Sequence, residues 1–268
     1  MPTLVEKFRD IGARVKVSIP RRMDRDFVVD VRNDKEGEHF AVIKSDEVNV
    51  SILDVQPKDR HLIMLVTAKD GHRTIASKFL CGHDERHWFT ATIPVGNVTT
   101  VFQAKQALKP KALVELEARE GIKGKDAHKR HKKLKSGRKI HRQGEFFFIP
   151  RPEFNPGKNP VIHKKEPLGG GGGHVHTVSE IIRFGGRTVY ERGSSIIEEA
   201  EYKRLDTKER SFYNTRTANA QVFARGKVTH IEHATVNLGN VWHEVQVNNE
   251  TRSSFGGAMG RISSAFLD

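Results

Sequence analysis

The chain has 268 residues, one cysteine, 29% charged residues and a net charge of +13. That length can bury a sound core, in one large domain or two small ones. A single cysteine excludes an internal disulfide framework, and no apolar run approaches the length of a membrane span, so a cytoplasmic, non-membrane protein is expected.

The excess of positive charge favours a polyanionic partner, most often nucleic acid. The first ten residues carry charge where a signal peptide needs an apolar run. Residues 5–14 have helical character and stop at Gly12. From Val15 to Pro94 the pattern is mostly β, with strands expected at Phe27–Val31, His39–Lys44, Val48–Val55 and His61–Ala68. His61-Leu-Ile-Met-Leu-Val66 is nearly continuous in apolar residues, which predicts a central strand covered on both faces.

Cys81 to Trp88 gathers the only cysteine, two histidines, two carboxylates, an arginine and a tryptophan. Read as a helix, His83 and His87 share a face with Asp84 beside them. The pattern then resembles the zincin motif His-Glu-x-x-His, in which two imidazoles bind zinc and the Glu is the general base. Asp84 is shorter than that Glu, and the alternating flanks predict a β-hairpin with Gly82–Glu85 as its loop. On its second strand His87, Phe89, Ala91 and Ile93 take one face and Arg86, Trp88, Thr90 and Thr92 the other. His83, Asp84 and His87 are the candidate catalytic residues here. Cys81 reads either as a small buried hydrophobe or as converging with His83 and His87, as metal ligands or as a thiolate activated by imidazole.

Helical spacing returns from Val98 to Leu108 and from Ala112 to Glu120, broken at Pro110. Between Arg119 and Arg142 there are eleven Lys or Arg against two acids, Glu120 and Asp126, so nine of the thirteen net positive charges lie there. With so little apolar content the segment is expected to be a mobile arm or lightly anchored helix. Lys123, Lys125, Lys129, Arg130, Lys132, Lys133, Lys135, Arg138, Lys139 and Arg142 are its candidate contacts to nucleic-acid phosphates. Without interleaved aromatics, base stacking is not expected.

Gly144–Ile149 is β in character, and a proline-rich run follows to Pro160. Gly169–Gly173 reads as a hinge, lacking the lysine-serine signature of a phosphate loop. Next, His174-x-His176-x-x-x-Glu180 with Gly185 resembles the first cupin motif, where two histidines and a glutamate bind a metal in a β-barrel. The spacing from Glu180 to Gly185 departs from that motif, and Gly239-Asn-Val-Trp-His243 lacks the proline of the second, so the chain is not assigned to the family. Strands are expected at Gln221–Thr229 and Thr235–Val247, with His230, Glu232 and His233 between them. These histidines resemble an HNH nuclease in part, though the helix bearing that family's last ligand is missing.

Taken together, the chain reads as a β-rich α+β protein of two small β-rich units, residues 1–118 and 144–268, joined by a basic connector at 119–143. Nucleic-acid binding through the connector is the leading expectation, with a histidine-based phosphodiester-processing site as a further possibility. The alternative is an enzyme that acts on a small molecule through a divalent metal ion held by His174, His176, Glu180 and His243. A non-catalytic interaction or assembly protein is the third reading. If a metal is bound, the histidine groups of the C-terminal half are the ones expected to meet, with His174 or His176 joining His243, and His83 is dispensable.

Overall fold

The computed structural model describes residues 3–19, 27–70, 72–84, 86–94, 96–123, 129, 131–168, 175–193, 195–231 and 233–249. It is β-rich, and the chain divides into two compact units. One runs to residue 128 and takes the chain back after residue 247; the other spans 129–247. That return is visible at Asn249, whose amide donates to the Leu108 carbonyl at 2.7 Å.

The first unit opens with helix α1 (Leu4–Asp10), started by a reciprocal Thr3–Glu6 capping box. Strands β1 (Val15–Ser18), β2 (Phe27–Asp34) and β3 (Gly37–Lys44) form a three-stranded sheet ordered β1-β3-β2, with β1 parallel to β3. Strands β4 (Asn49–Gln56), β5 (His61–Asp70), β6 (Arg73–Asp84) and β7 (His87–Thr92) form an antiparallel meander in that order. Helices α2 (Val101–Ala107) and α3 (Lys111–Glu120) follow.

Alternation along β5 decides how these pieces stack. Leu62, Met64 and Val66 join Phe79 and Cys81 in a core with Phe8, Phe27, Phe40 and Val42. Ile63, with Leu80, Ala91 and Ile93, points the other way, onto Val98, Val101, Ala104 and Leu108. The expected central strand covered on both faces is therefore what the structure contains. Covering both faces is what demands its unbroken apolar run.

Gly82 was expected in a loop but lies inside β6, directly opposite His61. The His61 ring, 7% exposed, fills the space a side chain at 82 would need: a Cβ there would stand 2.2 Å from its Cδ2. Burial pushes the His61 imidazole down to about 4, with the Lys105 charge acting in the same direction, so the ring is neutral in the folded protein near neutral pH.

The second unit is built on a sheet ordered β11-β12-β16-β18-β10-β9-β8, with β17 paired to β16. Its strands are β8 (Lys132–Lys133), β9 (Lys139–Gln143), β10 (Phe146–Pro150), β11 (His163–Leu168), β12 (His176–Phe184), β16 (Gln221–Thr229), β17 (Val236–Asn237) and β18 (His243–Val247). Between β12 and β16 the chain makes a smaller sheet, β14-β13-β15, from β13 (Arg187–Arg192), β14 (Ser195–Glu198) and β15 (Asn214–Ala218), with the single turns α4 (Glu199–Tyr202) and α5 (Thr207–Arg210). Phe146, Phe148, Val178, Ala224, Val228 and Val245 line its core.

The structure differs from the expected connector at this point. Residues 132–133 and 139–143 are strands of the second unit, and Ile140, Gln143 and Lys132 are buried. The few apolar residues of the stretch are enough, because β9 pairs with both β8 and β10 and the ladder satisfies its backbone.

The close fit of Gly82 against His61 sets a direct test. Gly82→Ala is expected to cost about 1–3 kcal/mol in denaturant unfolding, the usual range for overpacking. Combining it with His61→Ala should recover part of that loss, giving a clear coupling energy in a double-mutant cycle. Additive losses would show that the two positions do not compete for one space.

Candidate metal centre

In the N-terminal hairpin, ladder register separates the residues that composition had placed together. His83 pairs with Trp88 and Asp84 with His87, so the two histidines project from opposite faces. His83 sits edge-on to Trp88 at 4.9 Å. Burial lowers its pKa, and the nearby Arg60 charge, itself stacked over Trp88, adds to that. His87 is held by Glu38, Nδ1 to Oε1 at 2.6 Å, while the other oxygen of Glu38 accepts from the Trp88 amide. Cys81 is fully buried, 3.9 Å from the Thr90 hydroxyl, and burial pushes its thiol up to about 12. A thiol so placed is neither nucleophile nor ready ligand. These residues pack and brace the hairpin.

The C-terminal half does bring histidines together. His176 begins β12, while His230 and His233 lie on the loop that leaves β16 and returns as β17. Among the described residues these three form the group whose ligand atoms all lie within 4.8 Å of one another. His176 stacks on His230 with ring centroids 4.2 Å apart, and His230 and His233 are 4.6 Å apart. Phe146 closes one side, edge-on to His176 at 4.8 Å.

A buried amide orients the first of these rings. Gln143, fully buried at the end of β9, donates through Nε2 to the carbonyls of Ala234 at 2.7 Å and Val228 at 3.4 Å. Only an NH2 group can face two carbonyl oxygens, so Oε1 is the end that meets His176 Nδ1 at 3.0 Å. His176 must therefore donate from Nδ1, and in its neutral form it presents the Nε2 lone pair. Fixing one ring nitrogen so that the other can ligate is the usual support of a histidine metal ligand.

The β9–β10 turn delivers this amide. Phe146 pairs with Gln143, leaving Gly144 and Glu145 as a two-residue loop, and Gly144 takes φ +57°. A positive φ at the first of two loop residues is the type II′ arrangement, which requires glycine. A Cβ on Gly144 would stand 3.1 Å from His233 Nε2 and 3.3 Å from His176 Nε2, so the turn lies against both rings. Glu145 Oε2 lies 3.7 Å from His176 Nε2, with the Glu145 side chain 44% exposed. Burial opposes the charge of Glu145, yet His176, its own amide and His233 outweigh it and hold the carboxyl below its ordinary value.

Of the expected metal ligands, His176 is in this group and His174 lies outside the described residues. Glu180 is instead ion-paired with Arg225 across the β12–β16 ladder. His243 donates from Nδ1 to the Val241 carbonyl at 2.8 Å, and burial lowers its pKa against the pull of the Val241 and Lys139 carbonyls. It packs near His141, whose Nδ1 is 3.1 Å from that of His131. The C-terminal histidine groups meet, but through His230 and His233 rather than His243. Gln143 and Glu145 were not singled out from the sequence. The signal for them was Gly144 standing between two β runs, a Gly-X hairpin turn.

The basic candidates are dispersed. Lys125 and Arg130 lie outside the described residues, as does the Gly169–Gly173 hinge. Lys132 is buried, and Arg142 donates to the Gly144 carbonyl at 2.9 Å with its guanidinium 5.5 Å from the Phe147 ring. Lys123, Lys129, Lys133, Lys135, Arg138 and Lys139 are exposed. No helix among the described residues is long and apolar enough to cross a membrane. Comparison with protein-family models, with curated proteins and with solved structures finds no match for this chain.

The burial of Cys81 predicts its reactivity. A thiol reagent should label the native protein slowly and the denatured protein quickly. Cys81→Ser should lower stability by about 1–3 kcal/mol, the cost of a hydroxyl in a poorly satisfied buried site, and should leave metal content unchanged. Rapid native labelling, or loss of metal in the variant, would overturn the structural assignment.

Proposed function

We propose that the protein is a metal-dependent enzyme whose divalent ion is held by His176, His230 and His233. The convergence of three imidazole ligand atoms within 4.8 Å carries this reading. The buried Gln143 amide supports it, since it holds His176 with its lone pair on the side facing that group. Three protein ligands leave a position for water or substrate, the pattern of catalytic rather than structural zinc sites. An ion bound there supplies Lewis-acid polarisation or a hydroxide at neutral pH. Imidazole donors suit zinc and the later first-row ions and exclude calcium, which takes oxygen ligands.

Two nitrogens on one tetrahedral ion lie about 3.3 Å apart at Zn–N of roughly 2.0–2.1 Å, and the present 4.8 Å limit is wider. An ion held by all three rings ties the loop between β16 and β17 to β12, so binding stabilises the fold. Protein purified without chelator should hold about one equivalent of zinc or iron, and chelation should lower its melting temperature. His176→Ala and His230→Ala should lose the metal, while Glu180→Ala keeps it. A wild-type protein free of metal, or metal retained in both histidine variants, would refute the reading.

A second reading is nucleic-acid binding, favoured by the exposed Lys133, Arg138 and Lys139 on and beside the β8–β9 hairpin. Here the exposed basic residues of the β8–β9 hairpin contact phosphates, and β9 leads on to Gln143 beside the histidine group. Affinity for nonspecific duplex should fall with salt at a log–log slope of about −0.9 per phosphate neutralised. Replacing the three exposed residues with Ala should flatten that slope, whereas an unchanged slope counts against the reading.

A further inference from the structure

We propose that Glu145 supplies the fourth protein ligand, so that the centre is three imidazoles and one carboxylate. This inference rests on the metal-binding reading above. Its first support is a distance. Glu145 Oε2 lies 3.7 Å from His176 Nε2, beyond the hydrogen-bond range of about 2.7–3.2 Å. It is within a few tenths of an ångström of the ~3.3 Å that separates two donors on one tetrahedral ion.

The second support is what each atom offers. Gln143 commits the His176 proton to Nδ1, so neutral His176 turns a lone pair toward the carboxylate. When the imidazole is neutral, its lone pair and the carboxylate oxygen face one another, and a cation between them satisfies both. A proton could serve for this pair alone, whereas a metal ion also engages His230 and His233, which stand in the same group.

The third support is the backbone. The Gly144–Glu145 turn lies so close to the His176 and His233 rings that a Cβ at 144 would crowd both. The residue after that glycine is thereby held beside the His176 ring, with its Oε2 3.7 Å from Nε2. Its side chain, 44% exposed, has room to rotate the short remaining distance inward. With four protein ligands, the position for substrate comes from expansion to five-coordination. One turn thus supplies both Gln143, which positions His176, and the carboxylate that completes the site.

The test is a zinc(II) titration of the full chain against a chromophoric chelator at neutral pH, with circular dichroism to monitor folding. Glu145→Gln is isosteric and lies in a half-buried turn whose Glu145 side chain is 44% exposed. It should keep the fold, yet weaken zinc affinity at least about tenfold, the scale seen even for residues that only support metal ligands. Glu145→Ala should behave alike. The cobalt(II)-substituted protein should show a changed visible spectrum in Glu145→Gln, which a merely structural role for the turn would not produce. Wild-type binding with unchanged affinity and cobalt spectrum in Glu145→Gln would overturn this inference and leave the three-histidine reading standing. A wild-type chain that binds no zinc in the same titration would overturn both.

Discussion

A single buried amide ties the second unit together. Gln143 stands at the end of β9, yet its side chain spans to the Val228 carbonyl on β16, the Ala234 carbonyl on the following loop and the His176 ring on β12. In the sheet order β18 and β10 separate β9 from β16, so these bonds can form only if the sheet is rolled. A buried amide with no partners costs several kilocalories per mole, and Gln143 avoids that cost only when strand curvature, loop path and His176 tautomer all agree. The histidine group follows from that agreement. His230 and His233 reach His176 because the loop bearing Ala234 is held where Gln143 needs it.

The N-terminal hairpin shows the converse. Its composition looks like chemistry, but register distributes the groups. Pairing of His83 with Trp88 and of Asp84 with His87 sends neighbouring side chains to opposite faces. Each group then meets a structural need. Glu38 satisfies both His87 and the Trp88 amide, and Cys81 fills the core beside Thr90. His61 lies across from Gly82 because a ring of that size in a tight ladder tolerates no side chain opposite. Density of ionisable residues is therefore a weak guide to a site, since a strand separates what the chain places together.

The basic stretch obeys the same rule from the other side. Its charge suggests a solvated arm, but alternation in β8 turns Lys132 inward while Lys133 stays exposed. Ile140 and Gln143, three residues apart and so on opposite faces of β9, are both buried and anchor the segment. A strand that pairs with its neighbours needs far fewer apolar residues than an isolated helix, because the backbone ladder supplies part of its stability.

By itself the sequence determined the β-rich character, the helices and all strands of the first unit but β1 to within a few residues, and the two-faced burial of β5. These follow from local periodicity, which the chain carries in the order of its side chains. The burial of Cys81 was one of the two readings that order allowed. The placement of two histidine groups in the C-terminal half pointed to their meeting, but it named His243 as the partner of His174 or His176, whereas the structure brings His230 and His233 to His176. His176, His230 and His233 are joined by the rolling of the sheet and the return of one loop, and Glu145 and Gln143 by a two-residue turn on another strand. Only the tertiary structure decided those choices, since residues 143, 176, 230 and 233 are brought together by long-range pairing that no local pattern encodes.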